Sequence, residues 1–532
     1  MAADEDFELA HSYRGVSWRT ALASSGTVVD VLRARASDDR PCLTVSSADG
    51  TGSVTASFRQ VHDHSARLAT WLREDHGVGP GTVLGLLPAN DLPSVLAIFA
   101  GLRAGATLLF LNPNDPSDRL RAVVAHQDAE LVLRSPTTAP DPLPGSVPIP
   151  DPGVLSATAG PPDPSIDPAA TAMLFGTSGS TAVSKIVEQS HTAIMVNAQA
   201  ARRHHRLRPG DRLLGCLPLH HVNGVHFTLL ATLVAGAHAV LAQRFDPFGY
   251  PKLLAEARPR LASVAPSLLE TLVRTWREPV MPAGFDYFVS AAAPLPRSTV
   301  QAVSRAFGAQ VRQGFGLTET TNFATTMPAV LDDDAYRRLL LDADIPSIGV
   351  ALDGNEVTVL REDTVPAEPG EVGEVCIRGH NVMTGYAGNA EATATAFRGG
   401  WFHSGDLGYL RPDAAAARPF VVLTGRLKNI AKVGGEAVSL EEMERVLRAL
   451  PAVRDAACVA VAHPMLGDEV IAAVVLELGE QCDIRRSLAA SFPPYALPRR
   501  IVPLPAIPRT ATGKILRPQL TRQLTGENRP VP

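Results

Sequence analysis

Short apolar runs recur near residues 171–175, 212–217, 238–242, 261–264 and 286–290, with helix-length stretches between them. This rhythm constrains the fold more than any other feature. A run too short for a buried helix, and without polar alternation, reads as a strand covered on both faces, and such strands separated by helices pair in parallel. The pattern starts earlier in the chain. Val61, Leu68, Ala69 and Leu72 fall on one helical face, a Gly79-Pro80-Gly81 turn follows, and Val83 to Leu87 reads as a buried strand. Val95 to Leu102 then reads as a helix and Leu108 to Leu111 as the next strand. The expected fold class is α/β, a large N-terminal domain of largely parallel sheets covered by helices.

The chain has 532 residues, more than one hydrophobic core usually holds, so a second domain is expected. The pattern changes after Gly425. A helix is expected from Leu440 to Leu450, with Leu440, Met443, Glu444 and Val446-Leu447 forming a mostly apolar stripe, and strand-like runs follow at 457–461 and 470–476. We therefore expect domains over 1–424 and 425–532, the second a small α+β unit. Two segments read as connectors. Residues 135–167 are rich in Pro, Ser, Thr and Asp and lack periodicity, which suggests a surface excursion, and 411–418 reads as a short spacer.

A net charge of −5, with 19% charged residues, offers no footprint for nucleic acid or an anionic membrane. The acidic start Met1–Phe7 lacks an apolar core, and the most apolar stretches, Val95–Leu111 and Thr228–Ala242, are too short to span a bilayer. Neither a secretory signal nor a membrane span is expected. Cys42, Cys216, Cys376, Cys458 and Cys482 show no CxxC spacing, which suits a reducing cytoplasm.

Five segments carry chemistry. In Phe175-Gly-Thr-Ser-Gly-Ser-Thr181, continuing to Lys185, glycines and hydroxyls follow an apolar strand. Such a loop offers donors to a polyphosphate, although a solvated Gly/Ser linker reads the same way, and the spacing is not that of a Walker A motif. In Gln313-Gly-Phe-Gly-Leu-Thr-Glu-Thr320, glycines let a flat ring approach Phe315, within reach of the Thr318 hydroxyl and the Glu319 carboxylate; a structural turn is the plain alternative. In Trp401-Phe-His-Ser-Gly-Asp406, an acid on a loop suits vicinal ribose hydroxyls, or is an ordinary Asp turn. The fourth segment is Gly425-Arg-Leu-Lys-Asn-Ile-Ala-Lys-Val-Gly-Gly-Glu436 and the fifth Pro508-Arg-Thr-Ala-Thr-Gly-Lys514.

In this order the five segments resemble the ANL superfamily of adenylate-forming enzymes, which comprises acyl-CoA synthetases, adenylation domains and luciferases. Ala104-Gly-Ala106, Leu111-Asn-Pro113, Pro218-Leu-His-His221, Gly373-Glu374 and Gly385-Tyr386 extend the likeness over nearly the whole chain. The resemblance implies ATP and Mg²⁺ as cofactors and a mobile small domain turning near Lys428. It implies that Thr177, Ser178, Gly179, Ser180, Thr181 and Lys185 hold the β- and γ-phosphates, and that Phe315, flanked by Gly314 and Gly316, stacks on adenine. Ala292, Ala293 and Pro294 lie against the nucleotide in the same reading. Thr318 meets the α-phosphate, Glu319 the metal, and Asp406 the ribose, with Arg426 nearby. Lys514 bridges the acid and the α-phosphate. His221 occupies the substrate-gate position, with Asn223, Gly224, Ala291, Ala292, Gly316 and Leu317 around the acid and Gly434, Gly435 and Glu436 on the thiol side.

Two departures carry expectations. The phosphate loop reads Thr181-Ala-Val-Ser-Lys185-Ile where the family usually has Thr-Gly-x-Pro-Lys-Gly, which stiffens it. The acid-side turn reads Ser290-Ala-Ala-Ala-Pro294 where glycines are usual, so a small or flat substrate is expected. His226 reads as a satisfied core or surface histidine. The leading function is an acid:CoA ligase. The other readings are a stand-alone enzyme loading the phosphopantetheine of an acyl or peptidyl carrier protein, a nitrite-adenylating enzyme, and a nucleotide-binding scaffold without catalysis.

Overall fold

The computed structural model describes residues 2–47, 52–138, 141–155, 162–177, 185–277, 280–477, 483–510 and 513–526. Two large sheets carry the parallel strands expected. One runs in the order Gly385–Tyr386, Ile186–Ser190, Thr171–Gly176, Thr107–Phe110, Val83–Leu87, Leu131–Arg134, Val147–Pro148. Its central pairings are parallel and its Ile186–Ser190 edge antiparallel. In the other, Pro41–Ser46, His238–Ala242, Arg212–Gly215, Leu261–Ser263, Tyr287–Ser290 and Gln310–Gly316 lie parallel in that order, with antiparallel strands at both edges.

The helix Leu92–Ala104 shows why sequences of this kind bury both faces of a sheet. Asp91 accepts from the Ser94 N–H at its start, Gly105 ends it at φ 82°, and nearly every residue between is buried. A Cβ at Gly101 would overlap the Leu108 side chain, so glycine lets helix and strand approach closely. Each fully buried Leu, Ile or Phe contributes roughly 1.5–3 kcal/mol.

A third sheet of the large body is wholly antiparallel: Asn355–Leu360, Gly373–Gly379, Trp401–Arg411 and Phe397–Arg398, with Phe420–Arg426 beside Trp401–Arg411. The reading of largely parallel sheets did not anticipate it. The C-terminal sheet runs Glu436–Ser439, Ile430–Val433, Gly467–Leu476, Val453–His463, with Arg500–Pro503 parallel to Gly467–Leu476. It packs on the helices Leu440–Arg448 and Arg517–Thr525. Glu444, the acid in the apolar stripe, is buried. It accepts from the Cys458 N–H at 2.8 Å, Arg517 at 2.5 Å and Arg448 at 3.0 Å, which compensates its charge.

One of the two connector expectations is corrected. Residues 135–167 are not a free excursion, because Leu143 and Ile149 are buried and Val147–Pro148 adds a strand. The Asp163 side chain, 6% exposed, receives Arg103 at 3.0 Å and Arg73 and Arg33 at 3.3 Å each. Its arginines lie 60, 90 and 130 positions away, beyond the reach of local patterning. Residues 411–418 are a short connector as expected, joining two strands of the third sheet and clipped by Arg338 on Asp413 at 2.8 Å. Because the strand Phe420–Arg426 pairs as far as Arg426 opposite Asp406, we propose the domain division just after Arg426, beside Lys428.

Candidate active site

The strands Leu261–Ser263, Tyr287–Ser290 and Gln310–Gly316 run parallel and end at one edge, the location where open α/β sheets bind ligands. At that edge the last strand turns sharply. A Cβ on Gly316 would overlap the Asn322 carbonyl, so only glycine fits, and the chain continues into the short 3₁₀ turn Thr318–Thr320. Thr321 follows with φ 64°, a conformation that threonine holds only under constraint.

The constraint is visible in the carbonyls of that turn. Gln189 Nε2 donates to Thr318 O at 2.9 Å and Thr321 O at 3.3 Å. The Met383 N–H donates to Glu319 O at 2.8 Å, and Asn381 Nδ2 to Thr320 O at 3.1 Å. Thr318 and Glu319 are thus presented on a backbone fixed from outside. Tyr386 Oη donates to Glu319 Oε1 at 3.0 Å, and Lys185 Nζ lies 4.4 Å from the centre of the Tyr386 ring. The Thr177 N–H donates to Lys185 O at 2.9 Å, closing the base of the phosphate-loop candidate. Ser178, Gly179, Ser180 and Thr181 lie outside the described residues.

Asp406 sits in the strand Trp401–Arg411, which corrects the loop expected there. The strand alternates inward and outward, and Gly405 at φ 70° kinks it. Asp406 is 6% exposed and ion-paired to Arg426 Nε at 2.5 Å. Burial pushes its carboxyl up to about 6, against the pull of Arg426 and Lys514. Beneath it, His403 Nδ1 donates to Glu374 Oε2 at 2.7 Å and the Gly405 N–H to Glu374 Oε1 at 2.9 Å, bracing the kink.

Lys514 reaches this crevice from the C-terminal domain on a hairpin that its own backbone closes. Thr510 N donates to Lys514 O at 2.8 Å and Leu516 N to Pro508 O at 2.9 Å. Arg509, held by Asp455 at 2.8 Å, donates to Gly513 O at 2.7 Å. The Lys514 side chain is open to the crevice but surrounded by protein. Desolvation lowers its pKa and Arg426 adds to that, while Glu319 and Asp406 oppose it.

His221 faces Lys514, and the His220 ring lies beside it, tilted by 50° with ring centres 4.5 Å apart. Burial first, then Lys514, takes His221 down to about 4, and burial then His221 takes His220 down to about 3, so both are neutral at pH 7. Asn223 Oδ1 accepts from Ser263 Oγ at 3.0 Å, and at Gly224 a Cβ would come 2.5 Å from Pro218 O. Ala292 has φ 75°, and a Cβ on Gly513 would lie 3.9 Å from the Ala293 methyl. Ala291 differs from expectation, since its methyl packs in a core cluster with Tyr287, Val289 and Phe323.

Phe315 and Leu317 are partly buried against the third sheet's core. Lys428, in the turn Leu427–Asn429, is near enough to Lys514, Arg426 and Asp406 to interact with their charges, whereas Gly434–Glu436 form an exposed turn of the C-terminal sheet. Sequence reasoning assigned no role to Gln189, Asn381, Glu374 or Tyr386. Glu374 and Tyr386 lie in pieces that extend the family likeness, Gly373-Glu374 and Gly385-Tyr386, whereas nothing in the sequence pointed to Gln189 or Asn381. Among the described residues no helix is long and apolar enough to cross a membrane.

A parallel-sheet body with a lysine hairpin from a smaller α+β unit across its strand ends defines the two-domain adenylate-forming fold. The chain belongs to the ANL superfamily: the profile described as AMP-binding enzyme matches residues 32–387, and that of the AMP-binding enzyme C-terminal domain matches 442–514. A sulfoacetate–CoA ligase of Cupriavidus necator is 31% identical over 463 residues, covering 84% of this chain and 88% of that protein. An oxalate–CoA ligase of Arabidopsis thaliana is 28% identical, covering 90% and 94%. Among solved structures, ATP-bound MatB from Rhodopseudomonas palustris superposes with a TM-score of 0.80 at 23% identity, covering 94% of this chain and 99% of that one. The o-succinylbenzoate CoA synthetase from Bacillus subtilis with its acyl-adenylate gives 0.80 at 24%, covering 93% and 98%.

Asp406 carries a pH prediction. Its carboxyl titrates higher in the fold, near 6, than in an unfolded chain, so its contribution to stability is present at low pH and lost as pH rises through about 6. Asp406→Asn is therefore expected to stabilise the nucleotide-free protein at pH 7 by on the order of 2–3 kcal/mol. The same change is expected to weaken AMP binding and remove the fall in wild-type AMP affinity expected below about pH 6. Urea titration and AMP calorimetry from pH 5 to 8 read both effects. A destabilised variant, or one with wild-type AMP affinity, contradicts the assignment.

Proposed function

We propose that the protein activates a small carboxylic acid with ATP, releasing pyrophosphate, and transfers the acyl group to the thiol of CoA. The observation carrying this reading is the convergence of Lys514, from the C-terminal domain, on Glu319, Asp406, Arg426 and His221. In this reading Phe315 stacks on adenine, Asp406 accepts the ribose hydroxyls, and Thr318 contacts the α-phosphate. A carboxylate oxygen of the acid attacks the α-phosphorus and pyrophosphate leaves. Lys514 lies between the two anions that must meet and offsets the charge on the α-phosphate oxygens.

Glu319 suits a hard cation, since it offers carboxylate oxygen at the crevice and one oxygen is already oriented by Tyr386. Mg²⁺ bound there with ATP would neutralise phosphate charge. The acyl carbon, now carrying AMP as a leaving group, is attacked by the CoA thiol, and AMP departs after the small domain turns about Lys428 to present Gly434–Glu436. The relatives named as sulfoacetate–, oxalate– and 2-succinylbenzoate–CoA ligases support both a small acid and CoA as acceptor. The Ala292 and Ala293 methyls support a narrow acid pocket.

Glu319→Gln is expected to lower acid-dependent pyrophosphate release by about 10²-fold or more. A coupled phosphate assay over short aliphatic, dicarboxylic and aryl acids checks this. A Glu319→Gln protein as active as wild type contradicts the assignment. Thioester formed on a carrier protein but not on free CoA would replace the acceptor in this reading.

A further inference from the structure

Gln189 is fully buried in the strand Ile186–Ser190, and its side-chain amide is fully determined. Nε2 is committed as a donor to Thr318 O and Thr321 O, so Oε1 must face the other way as an acceptor. His226 Nε2 lies 2.8 Å from it, and therefore carries the proton. His226 is itself fully buried, and burial holds its pKa down to about 3, so the neutral tautomer is fixed across the working pH range.

The arrangement has a cost. His226 Nδ1 is buried and has no hydrogen-bond partner among the described residues. An unsatisfied buried polar atom costs about 1–3 kcal/mol, which a leucine in the same cavity would avoid. Packing alone therefore does not account for a histidine here. What only a donor supplies is a partner for Gln189 Oε1, which is buried and faces away from the turn. With that donor gone Oε1 is left buried and unpaired, and any movement of the side chain that relieves it weakens the two hydrogen bonds holding both ends of the turn that carries Thr318 and Glu319. His226 also sits in the π-helical segment Gly224–Ala231, directly after Asn223 on the acid side, and π segments recur at functional sites.

We infer that His226 and Gln189 are positioning residues for adenylation, a buried relay that joins the acid-side helix to the Thr318–Thr321 turn and aims the Glu319 carboxylate at the nucleotide-bound cation. This inference rests on the role proposed above for Glu319.

The test compares the affinity of α,β-methylene-ATP with and without Mg²⁺ by calorimetry, with adenosine as an internal control because its adenine and ribose contacts lie elsewhere and it has no phosphate for Thr318. His226→Leu and Gln189→Leu are expected to lose about 10–100-fold of the Mg²⁺-dependent gain in affinity, with adenosine affinity unchanged. His226→Gln, which returns a donor to the same place, is expected to stay within about threefold of wild type by the same reasoning. If His226→Leu does not fold, Gln189→Leu and the glutamine rescue carry the test. A wild-type Mg²⁺ gain in both leucine variants overturns the inference, and so does a parallel loss of adenosine affinity with a lowered thermal midpoint. Glu319→Gln separates the two levels. If it keeps the full Mg²⁺ gain, the role of Glu319 itself fails. If it loses the gain while the leucine variants keep it, only the relay fails.

Discussion

Lys514→Ala is expected to cut acid-dependent pyrophosphate release by about 10²–10³-fold, the cost of removing one preorganised charge from a developing phosphorane. The effect should be confined to chemistry. The hairpin from Pro508 to Leu516 is closed by backbone hydrogen bonds and by Arg509 on Gly513 O, none of which needs the lysine side chain. The unfolding midpoint should therefore stay at its wild-type value. Because Lys514 faces the crevice in this arrangement, and Gly434–Glu436 are exposed elsewhere, thioester formation from a supplied acyl-AMP should persist in the variant. Residual pyrophosphate release within threefold of wild type would remove Lys514 from the reaction.

Asp163→Ala is expected to destabilise the large body by about 3–5 kcal/mol. Asp163 is the shared carboxylate for Arg103 and Arg73, whose side chains are 7% and 14% exposed, and for Arg33 at the rim. Removing it leaves cations crowded together in a place that water reaches poorly. The same change frees residues that hold the connection to the strand Thr171–Gly176. Arg33 is 45% exposed and adds little. Asp163→Asn, which keeps acceptor capacity without charge, should fall between wild type and alanine. Urea unfolding followed by intrinsic fluorescence reads the series, and an alanine variant within about 1 kcal/mol of wild type would contradict the account.

What could be read from the sequence, and what could not, follows from the range of the interactions. The buried strands near 83–87, 171–175, 238–242 and 286–290 were legible because a doubly covered strand is apolar along its whole length. Trp401–Arg411 was not read as one strand, since Gly405 and Asp406 interrupt it with turn-like residues that the fold uses as a kink and a paired acid. The excursion at 135–167 looked free because the arginines that hold Asp163 come from three helices distant in sequence. Phe315, Thr318, Glu319, Asp406, Arg426 and Lys514 were singled out by motif order, and the structure brings Glu319, Asp406, Arg426 and Lys514 together. The supports beneath them were not. Gln189, Asn381, Glu374 and Tyr386 act by placing one polar atom against one backbone or carboxylate atom, and no spacing rule announces that. His226 read as a satisfied histidine, whereas one of its nitrogens is bonded and the other is not.

Adenylation leaves AMP and pyrophosphate, whereas an ATPase or kinase leaves ADP, so the nucleotide product tests the central claim most directly. Purified protein is incubated with ATP, Mg²⁺, CoA and each member of an acid panel that includes nitrite, and nucleotides are resolved by anion-exchange chromatography. The account predicts AMP in equal amount to pyrophosphate with one class of small carboxylic acid, together with the acyl-CoA. ADP as the product, or no AMP with any carboxylic acid, would contradict it.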